Sequence, residues 1–292
     1  MGHGVTLTFD EGPGVGLGHR RRCEAIAKAL RALEIGVTLR PLGAHDEIEA
    51  ETVVVDSYLA NADDRTRFRA AHVVAIEDLE RDMTVDLLVV PDPGADGTRY
   101  KRATRVVAGA RFSLVDPALA ELEVAPIEPN VTRVLVSCGA SDREGVGSRI
   151  ATALATALPG TQIRLVVGPW GLQAHDPLVT PVHAPDGLTA ELLDADLVVT
   201  AGGVTMIEAC CLGRPTVAFA IATNQMAAVA GAAHAGAVLA ADASSAADVA
   251  ERLAHDAALR SRLAGAARNL VDGQGAVRVA SAIADLQGIH AR

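Results

Sequence analysis

The chain has 292 residues, 50% of them hydrophobic, and a formal net charge of −10 at pH 7. This length predicts about two domains with a sizeable core. The negative charge argues against a nucleic-acid partner, and an aromatic content of 2% argues against base-stacking or sugar-stacking platforms. No apolar run has the length of a membrane span and no targeting segment is visible, so we expect a cytoplasmic protein without integral membrane association.

A glycine-rich turn, Gly14-Val-Gly16-Leu-Gly18-His19, joins the first predicted strand, at residues 5–9, to the first predicted helix. Glycines at such a turn let the backbone approach a ligand, and the N–H groups of a helix start favour an anion. The turn lacks the Gly-Lys-Ser/Thr of a P-loop, and it is a poor match to a dinucleotide fingerprint.

His19 stands at the opening of this helix, where the positive end of the helix dipole favours a neutral imidazole. A neutral imidazole beside a substrate suits a general base. The alternative is a capping or structural histidine, and the residues alone leave both open. Arginines 20 to 22 predict a solvated helix face with one phosphate contact at most.

Further strands are predicted at residues 37–40, 52–56, 73–76 and 86–90, and a helix at 65–71. This alternation predicts a parallel sheet with helices on both faces. The strand at 52–56 ends in Asp56-Ser57-Tyr58, and polar residues just past such an end lie on the ligand-binding edge of an open α/β sheet. Tyr58 either faces the same cleft as His19 or closes the sheet edge as a half-buried tyrosine.

Residues 116–130, with three prolines and several acids, are the best candidate for a linker. We therefore predict an N-terminal domain at 1–122 and a C-terminal domain at 131–292. In the second domain, strands are predicted at 132–137, 162–167, 197–200 and 216–220. Helices are predicted at 145–158, 188–194, 246–255, 257–270 and 276–286.

A second strand-to-helix turn carries Gly202 and Gly203, followed by Thr205 and Glu208 in the helix. The glycines are predicted to offer free N–H groups to a phosphate, and Glu208 is placed to accept hydrogen bonds from a ribose diol. The alternative is a turn that serves backbone geometry only. Because each half carries such a turn, two facing units would bind a bridging ligand in the cleft between the domains.

Several segments, in this order, resemble one known family. The matching segments are Gly16-Leu-Gly18-His19 with Arg22-Cys23, Asp56-Ser-Tyr58, Glu77-Asp78-Leu79, Cys138-Gly139-Ala-Ser141-Asp142, Ala201-Gly-Gly-Val-Thr205 through Glu208 to Pro215 and Asn224-Gln225, and Asp272-Gly-Gln-Gly275. The chain resembles the UDP-sugar hydrolases of pseudaminic acid biosynthesis, whose relatives include spore-coat polysaccharide proteins. More widely it resembles the MurG-type glycosyltransferases of the glycosyltransferase-B fold.

The resemblance implies two doubly wound Rossmann-like α/β domains that bind a small-molecule nucleotide-sugar, with no cofactor and no metal. His19 would activate water against the anomeric carbon, and Tyr58 would line the sugar site. The implied substrate-binding residues are Gly16, Gly18, Arg22, Gly139, Ser141, Asp142, Gly202, Gly203, Thr205, Glu208, Asn224 and Gln225. Among them, Gly202, Gly203 and Thr205 would hold the diphosphate, Glu208 the uridine ribose, and Asn224 and Gln225 would face the sugar.

The chain also departs from that family at two places. Asp10-Glu11-Gly12-Pro13 follows the first strand where the family has an arginine, and Val115-Asp116-Pro117 stands where it has Leu-Arg-Pro. Both changes replace positive with negative charge near the expected substrate. We predict a UDP-sugar hydrolase that releases UDP. A glycosyltransferase with a sugar, lipid or small-molecule acceptor and a non-catalytic nucleotide-sugar binder are the alternatives, and the sequence specifies no oligomeric state.

Overall fold

A computed structural model describes residues 4–142, 144–172 and 176–289. The chain forms two compact units: unit 1 consists of Met1–Ala118 and Gly273–Arg292, and unit 2 of Leu119–Asp272. Among the described residues, no helix combines the length and apolar character needed to cross a bilayer. The four cysteines are buried and free, and burial raises the pKa of their thiols, which makes them poor nucleophiles.

Unit 1 is built on a six-stranded parallel sheet. Its strands are β1 (Gly4–Phe9), β2 (Gly36–Pro41), β3 (Ile48–Asp56), β4 (Phe68–Ile76), β5 (Leu87–Val90) and β6 (Arg105–Ala108), in the order β2-β1-β3-β4-β5-β6. The apolar runs at 53–55 and 87–90 are fully buried, as expected of central parallel strands covered on both faces. The order reverses direction between β1 and β3, which is the place where open α/β sheets bind ligands.

One face of this sheet is covered by two helices, α1 (Gly18–Ala32) and α8 (Gly275–Leu286). The other face packs against loop segments that contribute Ala60, Met83 and Tyr100 to its core, and no α-helix of the described residues covers it. The expectation of helices on both faces is therefore wrong for unit 1.

The helix predicted at 65–71 is also absent. The Asp64 carboxylate accepts hydrogen bonds from the Thr66 N–H at 3.0 Å and the Thr66 hydroxyl at 2.6 Å, which closes a turn. Immediately after the turn, Phe68 begins β4 and pairs in register with Ile48 of β3. Side-chain capping of a turn by Asp and burial of Phe68 outweigh the weak helical pattern.

Helix α8 lies against α1 in unit 1, although the sequence prediction placed it in the C-terminal domain. Its buried residues Ala276, Val279, Ala280 and Ile283 join the core formed by α1 and β1. Gly275, at its start, approaches the backbone so closely that a Cβ there would lie 2.0 Å from the Ser113 carbonyl oxygen. The glycine is thus required for docking of α8.

Unit 2 contains a second six-stranded parallel sheet. Its strands are β7 (Arg133–Ser137), β8 (Gln162–Val166), β9 (Val179–Val182), β10 (Leu197–Ala201), β11 (Thr216–Phe219) and β12 (Leu239–Ala240), in the order β12-β11-β10-β7-β8-β9. This is the strand order of Rossmann folds, and its direction reverses between β7 and β10. The short strands β9 and β12 were not predicted.

The described residues of unit 2 form six α-helices: α2 (Val146–Ala157), α3 (Thr189–Asp194), α4 (Val204–Cys211), α5 (Thr223–His234), α6 (Ala246–Ala254) and α7 (Ala257–Leu270). Helix α5 was not predicted. Part of the predicted linker also packs here, because the fully buried Arg260 donates from Nη2 to the carbonyl oxygens of Glu128 and Pro129 at 2.9 and 2.7 Å.

Candidate functional site

The C-terminal ends of four adjacent strands bring carboxyl groups together in unit 1. β1 leads into Asp10, β3 ends at Asp56, β4 leads into Glu77 and Asp78, and β5 is followed by Asp92. The parallel register aligns Phe9 with Asp56, Asp56 with Ile76, and Ile76 with Val89. We call these five acids the acidic edge.

His19 lies at this edge and is bound by Asp56. Its Nδ1 is 2.5 Å from Asp56 Oδ1, and the side chain is 2% exposed. Burial alone would raise the pKa of Asp56, but the charge of Arg22 and the interaction with His19 hold it below its ordinary value. Because the ionised carboxylate only accepts, Nδ1 carries the proton, and this fixes the tautomer that leaves the Nε2 lone pair available.

Nε2 of His19 is buried and has no hydrogen-bond partner among the described residues. A buried unpaired acceptor is costly in a purely structural histidine. The arrangement matches a base that is oriented by a carboxylate and keeps its reactive nitrogen for a substrate. Of the two interpretations of His19 left open by the sequence, the geometry favours the base.

Arg22 connects His19 to the rest of the edge from one turn further along α1. Its Nε and Nη2 donate to the two oxygens of Asp56 at 2.9 and 2.7 Å, and its Nη1 donates to Asp78 Oδ2 at 2.8 Å. Nη2 also lies 3.0 Å from His19 Nδ1. Because both nitrogens carry a hydrogen, neither can accept, and this contact is not a hydrogen bond. Arg22 therefore holds the carboxylates in place, a role different from the substrate contact expected for it.

Tyr58 packs edge-on against His19, with the ring centroids 4.2 Å apart. Its hydroxyl donates to Asp78 Oδ2 at 3.0 Å. Burial first, and then the charge of Asp78, raise the pKa of Tyr58, so it remains a neutral phenol. The structure thus brings Tyr58 and His19 together, as expected if both face one ligand.

Asp10 fixes the turn that carries Tyr58. Its carboxylate accepts from the Ser57 hydroxyl at 2.8 and 2.9 Å and from the N–H groups of Tyr58 and Leu59 at 2.7 and 3.2 Å. Asp10, which stands near the position where the family that the motifs resemble has an arginine, is therefore built into the framework of the site. Sequence reasoning missed this role and that of Asp56, because strand register creates both.

Glu77 and Asp92 complete the edge. Glu77 pairs with Arg81 at 2.8 Å and accepts the N–H of Leu79. The side chain of Asp92 has no hydrogen bond or ion pair within the described ranges. Burial, together with the negative charge of Asp78, raises the pKa of Asp92 to about 7. Asp92 is therefore a half-buried acid without a counter-ion beside Asp78 and Arg22.

The glycines of the first turn shape the entry to α1. Gly16 has φ +84° and donates its N–H to the Gly12 carbonyl at 2.7 Å, so it serves a backbone conformation that other residues rarely adopt. Gly18 is the first residue of α1. The N–H groups of the first turn of a helix have no carbonyl partner within it, which leaves those of residues 18–20 pointing out of the helix start.

In unit 2, the turn after β10 differs from its prediction. The N–H of Gly202 donates to the Phe219 carbonyl at 2.9 Å and that of Gly203 to the Ala201 carbonyl at 2.8 Å, so neither is free for a phosphate. A Cβ at Gly202 would lie 2.3 Å from Val229 Cγ2, whereas a Cβ at Gly203 would meet no heavy atom within 4 Å. Gly202 is required for packing of α5, and the next N–H groups, of Val204 and Thr205, begin α4.

The turn after β7 also serves its own helix. Asp142 accepts the N–H groups of Val146 and Gly147 at 2.9 and 2.7 Å and thereby caps α2, a role that replaces the predicted substrate contact for its carboxylate. Gly139 has φ +80°, and a Cβ there would meet no heavy atom within 4 Å. The Ser141 hydroxyl is buried without a partner in the described part of the chain.

The remaining predicted residues lie at the same C-terminal edge of the unit 2 sheet. Thr205 and Glu208 are half-buried on α4, and Asn224 and Gln225 begin α5. Gln225 is partly engaged, since its side-chain oxygen accepts the Ile221 N–H at 3.0 Å. Across the described ranges, no group of three or more His, Cys, Asp or Glu side chains is arranged to hold a metal ion.

Neither a protein-family profile nor a curated protein matches the sequence. Solved structures match over nearly its whole length. The kitacinnamycin glycosyltransferase superposes with a TM-score of 0.66 at 15% identity, covering 98% of this chain and 99% of its own. The calicheamicin glycosyltransferase CalG4 superposes with a TM-score of 0.65 at 15% identity, covering 99% of both chains.

MurG from Acinetobacter baumannii superposes with a TM-score of 0.62 at 14% identity, covering 97% of this chain and 99% of its own. The chain has the glycosyltransferase-B fold. This agrees with the fold class implied by the sequence motifs. At such identities the likeness establishes the fold, so the activity must be argued from the residues of the two sheet edges.

Proposed function

We propose that the protein is an enzyme acting on a nucleotide-sugar, with His19 as the general base. The observation that carries this is the His19–Asp56 pair, which fixes the proton on Nδ1 and leaves a buried, unpartnered Nε2. The glycosyltransferase-B fold supports a sugar nucleotide as the substrate class.

In the proposed reaction the nucleophile is water. Its oxygen forms a bond to the anomeric carbon while the bond from that carbon to the diphosphate oxygen breaks, and the proton of the water passes to His19 Nε2. Asp56 stabilises the imidazolium that results, and Arg22 holds the Asp56 carboxylate in place. The nucleoside diphosphate leaves with the bonding electron pair.

Unit 2 is proposed to bind the nucleotide. Its strand order places β7 and β10 at the reversal point, where Rossmann folds bind nucleotides, and the residues following these strands include Gly139, Ser141 and Gly203. The first N–H groups of α4, from Val204 and Thr205, would receive the diphosphate in place of those of the two glycines. Glu208, further along α4, would bind the ribose.

A glycosyltransferase reaction is the second candidate, and two observations favour it. The solved structures similar to this chain include the kitacinnamycin and calicheamicin glycosyltransferases. In addition, Leu59, next to Tyr58, is 81% exposed although its N–H is held by Asp10, and Leu79, next to Asp78, is 40% exposed. Leucines held rigidly beside the base suit the apolar part of an acceptor. His19 would then deprotonate the acceptor hydroxyl.

The test is release of nucleoside diphosphate from a panel of UDP- and TDP-sugars, first without and then with added acceptors. We expect release that falls about 10²- to 10⁴-fold in His19→Asn. The matched control is His72→Asn, because His72 lies in the middle of strand β4, away from the C-terminal strand ends, and aligns with Thr52.

Release without acceptor supports the hydrolase, and release only with acceptor supports the transferase. Release that is equal in His19→Asn and wild type overturns the role of the base. Absence of both release and nucleotide binding overturns the proposed substrate class.

A further inference from the structure

Asp92 is held at the acidic edge by a rigid backbone. Pro91 and Pro93 flank it. The rings of the two prolines fix their own φ angles, and Pro93 also restricts the backbone conformation of Asp92 before it. The Pro91 carbonyl accepts the Ser113 hydroxyl at 3.0 Å, and the Asp92 carbonyl accepts the Ala95 N–H at 3.0 Å. The backbone that carries the carboxyl group is therefore held at the C-terminal end of β5.

Neither guanidinium group of the acidic edge pairs with the Asp92 carboxyl group. Arg22 is committed to Asp56 and Asp78, and Arg81 donates to Glu77 at 2.8 Å and to the Ser57 carbonyl at 2.7 Å. The five carboxyl groups of the acidic edge thus meet only these two guanidinium groups among the described residues. The edge carries an excess of negative charge that a ligand with positive charge would offset.

A second observation points to a hydrogen-bond donor as the ligand. His19 Nε2, in the same cluster through Arg22, is an acceptor buried within a side chain that is only 2% exposed, and it has no partner in the described part of the molecule. The carboxyl group of Asp92 and Nε2 of His19 are therefore both hydrogen-bond acceptors without a donor, and both lie at the same sheet edge. A protonated amine supplies both positive charge and donors.

We propose that Asp92 is a specificity-determining residue that binds a protonated amino group of the substrate, carried by the sugar or by the acceptor. This proposal rests on the proposed function, since it assigns a substrate class to the same site. Unit 1 should then prefer an amine-bearing substrate to its N-acetylated or hydroxyl counterpart. The pH at which Asp92 ionises depends on the charged and titratable groups around it, which are Asp78, Arg22, Glu77, Glu80 and Tyr100.

Binding is tested first, so that the result does not depend on turnover. Titration calorimetry compares UDP-glucosamine with UDP-N-acetylglucosamine and UDP-glucose, and a separate arm compares free glucosamine with glucose in the presence of UDP. Preference in the first arm places the amine on the sugar donor, and preference in the second places it on the acceptor. We expect tighter binding of the amine by about 10- to 100-fold in one arm, as for a charge-assisted hydrogen bond.

Asp92→Asn should abolish this preference, and the control Asp285→Asn, an exposed carboxylate on α8 that pairs with Arg105, should keep it. In wild type the affinity for the amine should rise from about pH 5 to about pH 7 as Asp92, with a pKa of about 7, ionises, and it should fall above about pH 8 as the amine loses its proton. Asp92→Asn should lose the rise on the acid side. Equal binding of amine and N-acetyl compounds in both arms, or a preference that survives in Asp92→Asn, overturns the proposal. Loss of nucleotide release with the preference intact overturns only the reaction.

Discussion

Gly202→Ala should destabilise unit 2 through one identifiable overlap. The new Cβ would lie 2.3 Å from Val229 Cγ2 and 3.2 Å from the Gln225 carbonyl oxygen. Carbon atoms in contact normally stand about 3.5–4.0 Å apart, so α5 must move outward by about 1 Å. Overpacking of this kind costs about 1–3 kcal/mol.

Val229→Ala provides the partner for a double-mutant cycle. It removes the atom that the new Cβ meets, and alone it costs about 1.5 kcal/mol at about 0.8 kcal/mol per buried methylene. The double variant should therefore be more stable than the sum of the two single changes predicts, by about 1–2 kcal/mol.

Urea unfolding followed by tryptophan fluorescence suits this measurement, because the single tryptophan, Trp170, belongs to unit 2. Gly203→Ala is the matched control: its Cβ enters open space, and its φ of −105° suits any residue. It should leave stability within about 0.5 kcal/mol and weaken UDP binding if the start of α4 receives the diphosphate. Additivity within about 0.5 kcal/mol, or equal destabilisation by both alanines, refutes the reasoning.

Three further outcomes are expected. Asp92 has a folded pKa of about 7 against an ordinary value of 3.8, so the folded state binds more protons between these values and stability falls as pH rises through them. Asp92→Asn should stabilise the protein at pH 8 by up to about 4 kcal/mol, at about 1.36 kcal/mol per pKa unit. At pH 4 the substitution should change stability little. Thermal unfolding that shows equal effects at both pH values contradicts this prediction. Asp56→Asn should destabilise unit 1 by about 3–5 kcal/mol by leaving Arg22 partly unpaired and should also slow nucleotide release, whereas the exposed Asp285→Asn should do neither. Gly275→Ala should cost more than Gly202→Ala because its Cβ meets the Ser113 backbone oxygen; limited proteolysis that leaves α8 as protected as in wild type would disprove it.

Local pattern predicted much of the fold, because most strands and helices carry their own periodicity. Residues 52–56 and 197–200, for example, are apolar runs that became central strands. The helix at 65–71 failed because one Asp side chain closes a turn that the pattern does not reveal. The position of α8 was beyond local pattern, since its docking surface on α1 lies some 250 residues earlier.

The site was predictable in its residue types and less so in their roles. His19 and Tyr58 were identified from their places at element ends, and the structure brings their rings together. The partners of His19 were not identified, because the pairing of Asp56 with it depends on the register of β1 and β3. Gly202 was predicted to bind phosphate through its N–H group. The structure instead explains a glycine at this position by its lack of a Cβ, which lets α5 pack against the turn.

The position of α8 also constrains the order in which the chain can mature. All of unit 2 is translated before α8 exists, so the apolar surface of α1 that Val279 and Ile283 cover stays open during that interval. Because nascent domains generally fold as they emerge, unit 2 should acquire its structure on the ribosome while unit 1 waits for its closing helix. The half that carries His19 is thus expected to be the later one to become protease-resistant, and the one that depends more on chaperones.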